Sequence, residues 1–290
     1  MAGLLRADEA LAWARAQLDA APGAEPLDAA LLLAHVLDLP RAALLAHPET
    51  PLSAGQRARF AALVTRRAAG EPVAYLTGRR AFYDRDFLVT PDVLIPRPET
   101  EHLIEAALNW ARERADRGAG LRVVDVGTGS GAIAVTLAAH LPDARLHAID
   151  CSPAALEVAR RNADRAGVAG RIAFHQGDLL RPLLEAGERM DLIAANLPYI
   201  PSADLDTLDV ARYEPRLALD GGPDGLDAIR RLLEQATDAL AASGLALLEI
   251  GAGQGARAAA LAENAFPGAA IAVLADYAGH DRLLRVERSG

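Results

Sequence analysis

The amino-acid sequence predicts an α/β protein: a seven-stranded, mostly parallel sheet preceded by an N-terminal helical bundle and a β-hairpin connector. Three observations carry this. Up to about Gly70 the apolar residues recur at helical spacing. From Glu71 to about Thr100 short β-rich runs and prolines replace that pattern. From Leu121 onward short apolar runs alternate with helical patterns, which implies right-handed βαβ units and a sheet covered on both faces.

The elements follow in order. ADEALAWARAQLDA and LDAALLLAHVLDL have helical periodicity and are separated by the breaker APGAEP. A third helix is punctuated at both ends: Ser53 with Gln56 makes a capping box, and Gly70 suits the left-handed residue past its last turn. This gives a helical domain over 1–75. RAFYDRDFLVTPDVLIPRPET reads as a hairpin around Asp84-Arg85 followed by prolines that forbid helix, so 76–100 is a connector. The main domain, 101–290, opens with the helix HLIEAALNWARERA and a break at Gly118. LRVVDV, ARLHAI, RIAFHQ, MDLIAA and GLALLEI are expected strands, with helices such as SPAALEVARRNADRAG and DAIRRLLEQATDALAA between them. AAIAVLAD and DRLLRVER supply two more strands.

Bulk composition narrows the function classes. At 290 residues, 51% hydrophobic and 24% charged, the chain is an ordinary globular protein with room for a core domain and a smaller companion. The single cysteine, Cys151, rules out a disulfide framework and a Cys-rich metal site, so a reducing cytoplasm is the expected setting. No leader-like or membrane-length apolar run is read. The net charge of -9, with basic residues dispersed among acids, lowers the expectation of a nucleic-acid substrate.

VVDVGTGSGAIAVTLA carries the strongest local signal. A buried strand ends at Asp125-Val126, the loop Gly127-Thr128-Gly129-Ser130-Gly131 follows, and a helix begins. Such glycines let a ligand approach main-chain amides and a helix N-terminus. The GxGxG spacing leans away from the GxGxxG of dinucleotide folds. Asp150, ending the next strand, can accept hydrogen bonds from both hydroxyls of a ribose, with Ser152 the better cap for the helix behind it. Asp178 follows a third strand and can meet an adenine amino group, with Leu179 against the ring. Three sites along one strand edge fit S-adenosylmethionine. A second copy of the pattern, LALLEIGAGQGARAAALAENAF with Glu249, Gly251, Gly253 and Gly255, leaves too little chain downstream to be the cofactor loop.

Asn196-Leu197-Pro198-Tyr199 follows the strand MDLIAA and so belongs to the same edge, beside the cofactor. An NH2 conjugated to a carbonyl or an aromatic ring is a poor nucleophile because its lone pair is delocalised. Two acceptors, the Asn196 side-chain oxygen and the Leu197 carbonyl, can hold it in line with a methyl group and stabilise the charge that grows on nitrogen. Pro198 biases Leu197 towards extended backbone, and Tyr199 can pack flat on the planar group. No strong base is required, since an alkylated nitrogen loses its proton to water. A metal is not expected, and the seven histidines are scattered. The tetrad is neutral between an adenine base and a side-chain amide.

The assembled residues resemble the HemK-type N5-glutamine methyltransferases, class I enzymes with a Rossmann-like methyltransferase sheet. The most specific likeness lies in GEPVAYLTGRRAF, FLVTPDVLIPRPETE and YEPRLALDGGPDGLDAIRRLL, and it covers essentially the whole chain. The resemblance implies S-adenosylmethionine-dependent methylation of the glutamine in the Gly-Gly-Gln motif of peptide chain release factors 1 and 2. It also implies a bundle that engages the release factor, and Arg97 and Thr100 beside the cofactor and glutamine pocket; with the charge and the lack of a membrane-length run, no direct nucleic-acid or membrane partner is expected. The departure is Leu197, where that family usually carries proline. Asn-Leu-Pro-Tyr is similar to the form in dimethyladenosine rRNA methyltransferases, so an adenine-N6 methyltransferase is the alternative. Those enzymes place their extra helices after the core, whereas here they come first. A silent cofactor-binding protein is a further rival, opposed by the retained Asn196 and Tyr199.

Overall fold

In the computed structural model, which describes residues 6–114 and 120–289, the chain forms two units divided between Arg79 and Arg80, each with its own apolar interior. The break expected at Gly118 lies outside the described residues.

The first unit holds α1 (Ala7–Leu18), α2 (Asp28–Leu37), α3 (Arg41–Ala46), α4 (Ala54–Ala68) and α5 (Val73–Thr77). The capping box opens α4 as expected: Gln56 N–H donates to Ser53 Oγ at 3.3 Å, and Ser53 N–H donates to Gln56 Oε1 at 2.9 Å. Gly70, at φ 100°, takes the left-handed turn past its end. Leu11, Leu32, Leu33, Leu44, Phe60 and Val64 fill the interior. The breaker segment is tied down from α4, where buried Arg67 binds Asp28 at 2.7 Å and also donates to the carbonyls of Pro22 and Gly23.

Next in the chain, β1 (Arg79–Phe82) and β2 (Arg85–Leu88) pair as a hairpin that turns at Tyr83-Asp84. A single 3-10 turn, Pro98–Thr100, leads into α6 (Glu101–Arg112). The sheet strands are β3 (Arg122–Val126), β4 (Arg145–Asp150), β5 (Ile172–Gln176), β6 (Met190–Ala195), β7 (Leu240–Glu249), β8 (Ala270–Ala275) and β9 (Asp281–Glu287). Between them run α7 (Ala132–His140), α8 (Pro153–Arg165), α9 (Arg181–Glu185), α10 (Asp227–Ala239) and α11 (Gly255–Ala265).

The seven strands lie in the order β5-β4-β3-β6-β7-β9-β8, and only β9 runs against its neighbours. Both faces are buried along the central strands β3, β6 and the second half of β7, which is why these read as continuous apolar runs rather than alternating ones. On β3, Val123 belongs to the apolar layer shared with α6 and α7, and Val124 to the opposite layer shared with α10 and α11. The chain leaves β3 towards β4 on one side, while β6 occupies the other. A crevice therefore opens at the carboxyl ends of β3 and β6, where the direction of winding reverses. Among the described residues no helix is long and apolar enough to cross a membrane.

Candidate active site

That crevice is the mouth of a cavity of about 540 Å³, within the range that holds nucleoside-sized molecules. Its wall includes Phe82, Val93, Ile133 and Ile149 as apolar surface, with Thr128, Asp150 and Asn196 as polar points.

The glycine loop explains its own composition. Gly127, Gly129 and Gly131 have φ of 72°, 53° and 82°, a region that side chains with a Cβ rarely enter. The loop is pinned beneath by Asp125, whose Oδ2 accepts the Thr128 hydroxyl at 2.6 Å and the Ala134 N–H at 3.0 Å. Burial pushes the Asp125 carboxyl up to about 7, and its Oδ1 is buried without a partner. From beside it, Asp150 accepts the Gly129 N–H on Oδ2 and the Ser152 N–H on Oδ1, both at 2.9 Å. Each carboxylate oxygen keeps a further acceptor site for a ligand hydroxyl. Burial raises the Asp150 carboxyl. Ser152, as expected, caps α8 by accepting from Ala155 N–H at 3.2 Å. Asn162 on α8 ties the loop to the hairpin, giving its NH2 to the carbonyls of Ser130 and Leu88 and accepting the Leu88 N–H.

Asp178 and Leu179 also border the cavity. The Asp178 carboxylate is held by Arg231, and Leu179 sits at φ 52°, an uncommon conformation for a branched residue that marks a strained turn. These loops together make a cradle of main-chain groups, one acid with acceptor positions left open and apolar walls wide enough for a planar ring. The donor set fits a nucleoside ligand such as S-adenosylmethionine.

Beside the glycine loop, Asn196 lines the same cavity one residue past β6. Its Nδ2 donates to Thr100 Oγ1 at 2.9 Å, and Thr100 donates to Glu249 Oε2 at 2.6 Å. Tyr199 turns its hydroxyl to Glu249 Oε1 at 3.4 Å. Thr100 and Glu249 are both buried, and burial lifts the Glu249 carboxyl to about 7 and the Tyr199 phenol to about 12. Leu197 and Pro198 line the cavity, and the Leu197 side chain is buried against Gly127: a Cβ on that glycine would stand 2.9 Å from Leu197 Cδ2.

Two sequence-predicted residues sit behind the wall. Arg97 gives its guanidinium to buried Glu214 at 2.5 Å, and Glu214 also accepts the Ile95 N–H at 3.0 Å. The YEPRLAL segment thereby clasps the IPRPET connector. The Tyr199 ring stands next to Gly251, where a Cβ would meet its Cδ2 at 3.3 Å. Thr100, in contrast, lines the cavity.

Glu249 and Gln254 are the residues that sequence reasoning passed over, because both lie in the second glycine copy. There Gln254 donates to the carbonyls of Tyr199 at 2.9 Å and Gly225 at 3.3 Å, and accepts the Gly251 N–H at 2.8 Å. The second copy is a buttress for the Asn-Leu-Pro-Tyr segment. An acid ending an apolar strand beside β6 was the available signal, since Ala195 pairs with Leu248 and so puts Asn196 next to Glu249.

Residues 9–78 match the family model described as PrmC N-terminal domain, and residues 117–234 match a methyltransferase domain. The chain is 49% identical to a release factor glutamine methyltransferase of Moorella thermoacetica, covering 88% of this chain and 89% of that relative. It is 41% identical to a Bacillus subtilis protein of the same name, covering 95% and 96%. Among solved structures, a methyltransferase from Pyrococcus furiosus superposes with a TM-score of 0.53 at 17% identity, covering 82% of this chain and 100% of that one, a likeness of fold.

Proposed function

Since the chain belongs to the release factor glutamine methyltransferase family, we propose that it methylates the side-chain amide nitrogen of the glutamine in the Gly-Gly-Gln motif of release factors 1 and 2. S-adenosylmethionine is the cofactor, and bound in the crevice it supplies an electrophilic methyl carbon on a positively charged sulfur. The observation that carries the reading is Asn196, fixed through its NH2 by Thr100 in the same cavity that the glycine loop opens.

Gly127, Thr128, Gly129, Ser130 and Gly131 would present main-chain groups to the cofactor, Asp150 would take its ribose hydroxyls, and Asp178 with Leu179 would border its base. Asn196 Oδ1 and the Leu197 carbonyl accept the two amide hydrogens of the glutamine. That would hold the amide nitrogen towards the methyl donor and favour the positive charge the nitrogen would acquire on methylation. The nitrogen then releases one proton to water. Pro198 keeps Leu197 extended, so that its carbonyl stays in reach. Tyr199 backs the clamp from behind, and Arg97 holds the connector that carries Thr100.

The helical domain, 1–75, recognises the release factor, 76–100 is the connector and 101–290 performs the transfer. The enzyme works in the cytoplasm and does not contact nucleic acid. In support of the latter, Arg231 in the cavity wall is matched by Asp178. Phosphate binding relies on basic groups free to displace counterions.

Mass mapping of a purified release factor after incubation with the enzyme and labelled cofactor tests the assignment. Label on the glutamine is expected; label found only in rRNA would overturn it. Asn196→Ala should lower turnover by about a hundredfold or more while cofactor affinity holds, as removal of a transition-state acceptor does.

A further inference from the structure

We infer that Glu249 is a positioning residue for this transfer: through Thr100 it sets which end of the Asn196 amide faces the cavity. The inference rests on the amide-methylation reading above.

Three side chains form a directed chain. Asn196 Nδ2 lies 2.9 Å from Thr100 Oγ1, and Thr100 Oγ1 lies 2.6 Å from Glu249 Oε2. A threonine hydroxyl has one proton to give. An ionised carboxylate only accepts, so it takes that proton. Thr100 is then left able only to accept from Asn196, and an asparagine donates only through its NH2. The Asn196 oxygen is thereby left over for the cavity, where an amide NH2 needs an acceptor. The Tyr199 hydroxyl, 3.4 Å from Glu249 Oε1, marks the other oxygen of the same carboxylate.

Protonation of Glu249 reverses the argument. A carboxylic acid can donate to Thr100, Thr100 can then donate to the Asn196 oxygen, and the Asn196 NH2 is released towards the cavity. Two NH2 groups facing each other repel. The methylating arrangement therefore requires ionised Glu249, although burial favours the neutral acid. The groups facing this carboxylate divide as follows. Arg282 on β9 and the hydroxyls of Thr100 and Tyr199 favour the ionised form, while Glu99, in the turn before α6, opposes it. The position explains the residue: Glu249 ends β7 next to Asn196, and a glutamine or leucine there would fill the space without dictating direction.

The test uses the full-length enzyme with a purified release factor, and reads kcat, KM, cofactor affinity, thermal midpoint and the pH profile of kcat. Thr100→Val, which keeps shape and removes the hydroxyl, should lower kcat about tenfold to hundredfold with KM and cofactor affinity held, and Thr100→Ser should restore most of it. Wild-type kcat should rise through an acid limb centred near 7, and Glu249→Gln should lower kcat and flatten that limb. Where Glu249→Gln is too unstable to assay, the valine and serine pair decides. A methylating wild type whose variants keep wild-type kcat and acid limb, or lose kcat only in step with cofactor affinity, would overturn the inference alone. A wild type that leaves glutamine unmethylated would overturn the functional reading as well.

Discussion

Two stretches of this chain share one pattern and do opposite jobs. Asp125 with Gly127, Gly129 and Gly131, and Glu249 with Gly251, Gly253 and Gly255, both follow a buried strand and both open a helix. In the first, all three glycines take positive φ, and the Thr128 side chain folds back onto Asp125, leaving main chain exposed to the cavity. In the second, only Gly253 does so, at φ 80°, and the Gln254 side chain reaches out to hold the carbonyls of Tyr199 and Gly225. Their places in the sheet differ as well. β3 lies where the winding reverses, whereas β7 has antiparallel β9 beside it, which closes the edge. A glycine pattern therefore permits a sharp turn, and the strand order decides whether a ligand or a side chain occupies the space beyond it.

The hardest strike at this distinction is an alanine in each loop. Gly127→Ala puts a Cβ at φ 72° and 2.9 Å from Leu197 Cδ2. Left-handed backbone costs a residue with a Cβ about 1–2 kcal/mol, and here the displaced loop is the one proposed to meet the cofactor. Cofactor affinity should fall about tenfold to hundredfold by calorimetry. Gly253→Ala bears the same backbone strain but meets no atom within 4 Å, so it should lose stability and leave cofactor affinity unchanged. Equal losses of affinity would mean that the two loops share the work.

Gln254→Ala probes the buttress. It strands two carbonyls and one N–H that the glutamine satisfies, at a cost of about 1–3 kcal/mol in stability. Turnover should drop severalfold while cofactor affinity holds, because Tyr199 and the segment before it lose their support. A fall in affinity matching the fall in turnover would assign Gln254 to the cofactor instead.

Much of this was readable in advance. Each sheet strand is an apolar run bounded by turn residues, and the capping box at Ser53 is a local motif, so neither depends on distant chain. The strand order is different: an antiparallel β9 between β7 and β8 has the same composition as a parallel strand at the edge. α3, α5 and α9 are too short for periodicity to register. In the site, the glycine loop, Asp150 and Asn196 announce themselves by residue type at a strand end. Glu249 and Glu214 do not, since their partners Thr100 and Ile95 lie 149 and 119 residues away. A buried acid acquires its role from what it faces.

The acids beneath the two loops give a pH signature. Burial lifts Asp125 from 3.8 and Glu249 from 4.5, each to about 7. A carboxyl with a folded pKa above its unfolded one binds its proton more tightly when folded. Stability should therefore fall as pH rises from about 4 to about 7 and then level off. Asp84, held down to about 2 chiefly by Arg85, acts with the opposite sign and in a lower window, losing its contribution as pH falls below about 4. Asp125→Asn and Glu249→Gln should each flatten part of the upper slope in thermal midpoints measured across pH 5–8. A slope unchanged by both would remove these acids from the account.

The smallest expected effect concerns Leu197. Its N–H makes no hydrogen bond among the described residues, and Pro198 already restricts it, so Leu197→Pro forfeits no backbone interaction. What it forfeits is a buried side chain packed on Gly127, a loss of about 1 kcal/mol that the stiffer unfolded chain partly offsets. Turnover should stay within about twofold of wild type, because the carbonyl proposed as acceptor remains. The sharper measurement is a double-mutant cycle. With Leu197 Cδ2 gone, an added Cβ at position 127 meets no hard wall there, so Gly127→Ala should be milder in the Leu197→Pro background, with a coupling of about 1 kcal/mol. Gly253→Ala should show none with the same partner. Additivity at both positions would mean that backbone conformation alone, and not the leucine, keeps a glycine at the head of the first glycine loop.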